Sequence, residues 1–318
     1  MTSNRGSNEP RVSVLLPCYN GAAYIGQALE SIINQTYPDF ELVVVDDGST
    51  DESADIIRTF VAADTRVRLV GKANGGIVSA LNTGLEACRG EYIARMDADD
   101  VSFPNRLADQ VAWLDTHPAC VCVGGYAVDD LVPTPESIRT TGGRHASTDL
   151  SVFPPRVAVS MHPLIMVRRD AVVKAGGYRD GFKHAEDYDL FLRLGELGSI
   201  DNPPIDMLYY RRHEGAISIR NVEEQEAAAV RAELDAIQRS GGNLPPRRLV
   251  DVYRDLRVFR RNQSVNPEQA TRQMPDIVRA IFNMTPACLF SSGYFRLRLM
   301  MGVALYRYWK RRQAIAKI

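Results

Sequence analysis

The chain has 318 residues, 45% of them hydrophobic and 24% charged, with a formal net charge of -1. That balance suits a globular protein with room for one large domain and an appendage, or for two domains, and it gives no electrostatic reason to expect nucleic acid as a partner. Cys18, Cys88, Cys120, Cys122 and Cys288 are scattered, with neither a zinc spacing nor a disulfide framework, which suits a reducing, cytoplasmic setting.

Residues 1–10 are polar and lack the apolar segment of a signal peptide, so a disordered N-terminus is expected. No apolar run is long enough to span a membrane. Residues 12–17 are a short apolar run closed by Pro17 and read as a first strand. Residues 24–34 follow as a helix with Ile25, Leu29, Ile32 and Ile33 on one face. Residues 40–45 are a second strand ending in Asp46-Asp47-Gly48-Ser49-Thr50-Asp51, where Ser49 or Thr50 can cap the next helix. Residues 67–70 are a third strand, Asn74-Gly75-Gly76 a turn, residues 77–87 a helix and residues 91–96 a fourth strand. Strands alternating with helices of about ten residues imply βαβ units and a largely parallel sheet.

Beyond residue 100 the pattern is mixed. Residues 104–114 read as a helix with Pro104 in its first turn, and residues 121–128 as a strand. Cys120 and Cys122 are two apart there and should face the same side. Residues 131–155 form a long polar loop, of a length often used for lids. A strand region at 157–167, a short helix ended by Gly176-Gly177-Tyr178, a helix at 188–197 and a strand at 206–212 complete this part. Composition changes near residue 220. A Glu- and Ala-rich helix spans 221–239 and is stopped by Gly241-Gly242 and Pro245-Pro246; two more helices follow, one starting near Pro267 after an Asn266 cap.

The most informative stretch is Tyr92 to Asp100, an apolar strand delivering Asp97, Asp99 and Asp100 at its C-terminal end. Crowded carboxylates repel and are costly to bury unless something positive is bound, and oxygen ligands suit a divalent cation. Asp46-Asp47 ends a parallel strand on the same edge, and Glu186-Asp187 comes later. Such a rim can hold a nucleotide whose diphosphate is bridged by Mg²⁺ or Mn²⁺. No GxxxxGK[ST] loop is present, and no GxGxxG follows the first strand. Read alone, the same residues also fit a solvated acidic loop.

A series of motifs in order carries a resemblance to glycosyltransferase family 2, the large inverting family of the GT-A fold. The opening strand with Pro17-Cys18-Tyr19-Asn20 resembles that family's first strand and turn, and residues 43–51 its second strand. Asn74-Gly75-Gly76 with Ala80-Leu81-Asn82-Thr83-Gly84, then Asp97-Ala98-Asp99-Asp100 with Pro104 and Arg106-Leu107, resemble its next turn, helix and DxD region. His162-Pro163, Gly176-Gly177-Tyr178, Ala185 to Leu190, and Tyr210-Arg211 with His213 resemble the acceptor half and the end of its catalytic domain. The likeness covers about residues 11–220. It implies an α/β fold with a Rossmann-like, mixed but mainly parallel sheet flanked by helices, and a helical C-terminal extension. The implied domains are a catalytic domain at 11–220, with a nucleotide-sugar half (11–100) and an acceptor half (101–220), and a helical region at 221–318.

The resemblance implies these roles. Pro17, Tyr19, Asn20, Asp46, Asp47, Asn74, Asn82 and Asp97 would bind the nucleotide-sugar, with the choice between Asp46 and Asp47 left open at the base or ribose. Asp99, with Asp97 beside it, would hold Mn²⁺ or Mg²⁺, and His213 would be a late contact to diphosphate or metal. Asp187 would be the catalytic base, with Glu186 binding the acceptor or tuning it, while His162 and Tyr188 line the acceptor side. Arg95 would be an ion-pair partner, and Asp100 a cap or brace for the loop. The plainer alternatives are a turn aromatic for Tyr19, helix caps for Asp46, Asp47 and Asp187, and packed or surface histidines for His162, His184 and His213. The implied reaction is inverting, metal-dependent transfer from a nucleotide-diphosphate sugar, with UDP favoured, to a glycan or lipid-linked glycan. The rivals are a nucleotide-binding scaffold, which Asp97, Asp99 and Asp187 speak against, and a nucleotidyltransferase, which lacks its Gly-rich loop after Leu16.

From Ile277 to Ile318 there are eight Arg or Lys and no Asp or Glu. Leu297, Met300, Met301, Ala304, Leu305 and Tyr308 recur there at helical spacing. Such a helix either packs on the protein with a basic outer face or lies on the inner face of the cytoplasmic membrane.

Overall fold

Strands β1 (Val12–Cys18), β2 (Phe40–Asp46), β3 (Val67–Gly71) and β4 (Tyr92–Arg95) alternate with helices α1 (Ile25–Ile33), α2 (Ser53–Ala63) and α3 (Ile77–Ala87). β1 pairs in parallel with both β2 and β4, and β2 with β3. The computed structural model describes residues 9–142, 147–211, 221–282, 297, 299–303 and 306. After β4 come β5 (Val101–Ser102), α4 (Arg106–Thr116), β6 (Cys120–Val123), β7 (Tyr126–Val128) and β8 (Arg139–Thr140). Then follow β9 (Met166–Arg168), α5 (Arg169–Lys174), α6 (Glu186–Gly195), β10 (Ser199–Asp201) and β11 (Asp206–Tyr209). The main sheet has the order β10-β6-β9-β4-β1-β2-β3, in which only β9 runs antiparallel to its neighbours. A smaller sheet has the order β5-β11-β7-β8.

β1 and β2 are buried along their whole length, which is why they read as mainly apolar runs rather than alternating ones. On one side Val12, Val14 and Leu16 pack with Leu29, Ile32, Leu107 and Leu114. On the other, Leu15, Val43 and Val45 pack with Leu81, Leu190, Phe191 and Leu194. Each fully buried large apolar side chain contributes about 1.5–3 kcal/mol. An exposed ion pair such as Arg58–Asp55 contributes about 0–1 kcal/mol, so these layers carry the stability.

The chain forms two compact units. The first comprises Met1–Thr148, Val157–Gly181 and Leu190–Glu214, and contains both sheets. The second comprises Asp149–Arg156, Phe182–Asp189 and Gly215–Ile318. Its helices are α7 (Val222–Arg239), α8 (Arg247–Val265) and α9 (Pro267–Phe282), around a core of Phe153, Val230, Ile237, Leu249, Tyr253, Leu256 and Phe259. Asn266 Oδ1 accepts the Gln269 amide at 3.2 Å, the cap expected before Pro267. Two earlier segments therefore group with the helices beyond residue 220. Leu297 and Met301, from the C-terminal apolar stripe, are buried in this core, while Leu299, Val303 and Tyr306 are exposed. Most of the basic segment that follows Phe282 lies outside the described residues. No described helix is long and apolar enough to cross a membrane.

Several local expectations are corrected. The strand expected at 121–128 is two strands in different sheets, because Gly124-Gly125 takes the chain from one to the other. A Cβ on Gly124 would lie 1.8 Å from Ser160 Oγ, and one on Gly125 would lie 2.6 Å from Met207 Sδ. The region 157–167 is strand only from Met166; a 3₁₀ turn at His162–Leu164 precedes it, where Pro163 has no N–H to give a ladder. Cys120 and Cys122 face opposite layers, because the register slips between Ser199 and Ile200 and leaves Val121 as an extra residue. Among the described residues the cysteines are free and buried, and burial pushes the Cys18 thiol up to about 11 and Cys88 up to about 12. Ahead of α2 it is Asp51, not Ser49 or Thr50, that accepts the Ser53 amide, at 3.0 Å.

Gly124→Val should break the 2.7 Å Ser160–Asn202 hydrogen bond that its side chain would meet. The expected loss is about 1–3 kcal/mol of stability, read by denaturant unfolding.

Candidate active site

The β1–α1 and β2–α2 loops are knitted to each other at the C-terminal ends of their strands. Cys18 O accepts the Asp47 amide at 2.9 Å. Asn20, at φ 51°, accepts the Thr50 amide on its side-chain oxygen at 2.8 Å and donates its own amide to Ser49 Oγ at 3.0 Å. Pro17 pairs with Val45 just beyond the part of β1 that β4 covers, and the Tyr19 side chain stands 53% exposed at the rim.

The two aspartates at the end of β2 differ in environment. Asp46 Oδ1 accepts the Ser49 amide at 3.1 Å. Asp47 accepts Lys72 Nζ at 2.5 Å and the amides of Gly75 and Gly76 at 3.0 and 2.8 Å, while Asn74 Nδ2 donates to its carbonyl at 3.0 Å. The Asn74-Gly75-Gly76 turn is thus built on Asp47. Gly48 is at φ 74°, and a Cβ there would lie 2.7 Å from the Asn74 amide, so only glycine fits. Asn82 spends both ends of its amide on the Tyr178 backbone, at 2.8 and 2.9 Å, fastening α3 to the Gly176-Gly177-Tyr178 turn.

After β4 the chain turns through the acidic cluster. Asp97, Asp99 and Asp100 each offer a carboxylate oxygen, and these oxygens lie within 4.8 Å of one another. Arg95 is buried and meets Asp97 at 2.6 Å, while its Nε and Nη1 have no hydrogen-bond partner among the described residues. Burial raises the Asp97 carboxyl, with Arg95 opposing and Asp99 reinforcing the shift. Asp100 is 1% exposed; burial first, then repulsion from Asp97 and Asp99, pushes it up to about 8. Its Oδ1 accepts the Arg211 amide at 3.0 Å, which makes it the brace expected of it, while Oδ2 is buried without a partner among the described residues. An all-carboxylate donor set with an unsatisfied buried oxygen fits a hard divalent cation such as Mg²⁺ or Mn²⁺.

Arg106 and Arg211 carry structural work that their residue types alone did not disclose. Buried Arg106 donates to the Arg95 carbonyl at 2.5 Å, and burial pulls its guanidinium down to about 9. Arg211 follows β11 and donates through Nε to the Asp99 carbonyl at 2.8 Å and through Nη2 to Gln27 at 2.5 Å, stacked over Tyr24. Its only sequence signal is the Tyr210-Arg211 pair after the last strand of this unit. His213 lies outside the described residues. His162 is buried, bonded through Nε2 to the Tyr178 hydroxyl at 2.7 Å, and burial with Arg95 nearby holds its pKa well below the usual range.

Glu186, Asp187 and Tyr188 belong to the second unit. Their helix begins at Glu186, two residues earlier than expected, so Asp187 lies in the first turn rather than ahead of it. Asp187 Oδ1 accepts the Tyr188 amide at 2.7 Å. The Tyr188 hydroxyl donates to Glu233 at 2.6 Å. His184, at φ 68°, pairs at 3.5 Å with Glu224.

The family model for Glycosyl transferase family 2 matches residues 13–184, more than half of the chain. An uncharacterized glycosyltransferase of Haemophilus influenzae is 30% identical over 234 residues, 70% of this chain and 72% of that protein. The chondroitin synthase of Pasteurella multocida is 32% identical over 68% of this chain, but the match spans only 22% of that much longer protein. Among solved structures, the mannosyltransferase PcManGT from Pyrobaculum calidifontis, in complex with GDP-Man and Mn²⁺, superposes with a TM-score of 0.60 at 23% identity. That match covers 97% of this chain and 85% of the other. S. aureus TarS 1-349 in complex with UDP-GlcNAc superposes with a TM-score of 0.59 at 21% identity, over 85% and 81% of the two chains. The shared fold is that of GT-A glycosyltransferases.

In the metal-free protein, the protonated Asp100 contributes stability that is full below the ordinary carboxyl pKa of 3.8 and is lost as pH rises toward about 8. Measured in EDTA from about pH 5 to 8, wild type should lose stability relative to Asp100→Asn, which cannot ionise.

Proposed function

This chain belongs to glycosyl transferase family 2 and is a glycosyltransferase, and we propose that it moves a sugar from a nucleotide-diphosphate donor to an acceptor hydroxyl with inversion at the anomeric carbon. The observation that carries the proposal is the cluster of Asp97, Asp99 and Asp100 at the end of β4, in the same sheet whose neighbouring strands end in Pro17-Cys18-Tyr19-Asn20 and Asp46-Asp47. In this reading Tyr19, Asn20 and the two β2 aspartates take the base and ribose side. Asn74 and Asn82 act by holding the loops that shape that side. Asp97, oriented by Arg95, faces the ribose. Asp99 and Asp97 would hold Mn²⁺ or Mg²⁺, with Asp100 bracing the turn and His213 a further candidate. The cation would neutralise charge on the departing nucleoside diphosphate.

An acceptor hydroxyl is a poor nucleophile until its proton is removed during attack. Asp187 is the proposed base. The C1–O bond to the diphosphate breaks as the acceptor oxygen bonds C1 from the opposite face, and the proton passes to Asp187. Glu186 and His162 belong to the acceptor side. The donor is a UDP-sugar and the acceptor a glycan or lipid-linked glycan, in the cytoplasm or at the inner face of its membrane. Relatives named chondroitin synthase and neighbours solved with GDP-Man and UDP-GlcNAc support a nucleotide-sugar donor and a glycan acceptor.

A thermal-shift screen of UDP- and GDP-sugars, with and without Mn²⁺, should show a shift that needs both partners. Asp99→Ala should abolish metal-dependent turnover. Asp187→Asn should bind donor normally but lose about 10²-fold or more in transfer. Full transfer by purified Asp187→Asn would refute the base assignment, and donor binding without any turnover in wild type would favour a scaffold.

A further inference from the structure

The second unit holds a buried polar cluster that the reaction scheme does not use. Glu233 of α7 is 1% exposed, and its Oε1 accepts three donors: the Tyr188 hydroxyl at 2.6 Å, the Tyr253 hydroxyl at 3.1 Å and Arg257 Nη1 at 2.5 Å. Arg257 of α8 also bonds Glu226 through Nε, and its guanidinium lies 5.3 Å from the Tyr188 ring centre and 5.7 Å from that of Tyr253. Glu233 Oε2 is buried with no hydrogen-bond partner among the described residues.

An ion pair with one partner fully buried and the other largely so is a poor source of stability, because desolvation consumes most of the attraction. What such a cluster supplies is direction: a single oxygen receiving three donors defines where each donor points. One of these donors belongs to Tyr188, the neighbour of Asp187, and the Tyr188 amide in turn bonds Asp187 Oδ1 at 2.7 Å. The same short segment meets α7 at three more points. The Phe182 ring lies under Arg231 at 5.1 Å, His184 pairs with Glu224, and Ala185 packs on Ala228 and Ala229, where small side chains allow close approach.

We infer that Glu233, set by Arg257 and Tyr253, is a positioning residue that fixes the Asp187 carboxylate through Tyr188. The inference rests on Asp187 being the base. Its test reads nucleoside diphosphate release from UDP-GlcNAc, or from GDP-mannose if that is the donor turned over, with Mn²⁺ present. It pairs that with hydrogen exchange of the amides at 185–189.

Tyr188→Phe deletes one hydroxyl and keeps the ring. It should lower kcat about tenfold, leave donor Kd within about twofold, and raise exchange at 185–189. Glu233→Ala should do the same or more. Glu233→Gln, which keeps an oxygen for the Tyr188 hydroxyl, should recover most of the rate. In an Asp187→Asn background Tyr188→Phe should cost nothing further, since both act through one group. Should Glu233→Ala fail to fold, Tyr188→Phe alone decides. Wild-type kcat, or unchanged exchange, in folded Tyr188→Phe would overturn the inference while an inactive Asp187→Asn still supported the base. Wild-type transfer by Asp187→Asn would overturn both.

Discussion

Three carboxylates within four residues, at the mouth of a buried strand, are the constraint around which the first unit is arranged. Each is handled differently. Asp97 has a guanidinium, Arg95, against it. Asp100 gives up ionisation, its carboxyl pushed up to about 8, and braces the chain on the Arg211 amide. Asp99 is held through its backbone, whose carbonyl takes Arg211 Nε. Arg106 touches none of the three carboxylates. It holds the Arg95 carbonyl instead, keeping the strand end where the crowding occurs. Arg106 and Arg211 thus reach backbone carbonyls at this turn, and the three carboxylates keep oxygens within 4.8 Å of one another. Carboxylate oxygens clustered this closely suit a hard cation.

The β2 side follows the same economy of charge. Asp47 is surrounded by Lys72 and two amides, so its negative charge is answered within the loop it organises. Among the described residues, Asp46 is answered by one amide, that of Ser49. The pair read as equivalent in sequence because both follow one apolar run, and what separates them is a lysine 25 positions later, folded back against only one of them.

That difference marks the boundary of what sequence could deliver. The alternation of β1 to β4 with α1 to α3 was legible because apolar period and turn chemistry are local. So were the acidic strand ends and the short Gly176-Gly177-Tyr178 stop. The division of 121–128 between two sheets was not, because the clash that requires Gly124 comes from Ser160. The opposite facing of Cys120 and Cys122 depends on a bulge set by the partner strand β10. The burial of His162 depends on Tyr178 and Phe191. Arg106 and Arg211 were legible only as motif residues, because the Arg95 and Asp99 carbonyls that they hold carry no residue identity. Segments 149–156 and 182–189 join the helical unit for the same reason: Phe153 meets Tyr253 edge-on at 5.1 Å, a contact no local pattern announces.

The helical unit poses the reverse of the problem at β4. There, three carboxylates crowd at the end of a strand; here, Glu233 and Arg257 answer each other, with the Glu233 side chain 1% and the Arg257 side chain 19% exposed. Well-packed apolar residues would join α7 and α8 at least as strongly, since they carry no desolvation cost. The surrounding Phe153, Leu249, Leu256 and Phe259 already do so. An apolar contact, however, tolerates rotation and sliding, whereas a 2.6 Å bond to a carboxylate oxygen does not. The ionic cluster therefore makes sense as a device for orientation added to a core that is already stable. The element it orients is the first turn of α6, the turn that carries Asp187.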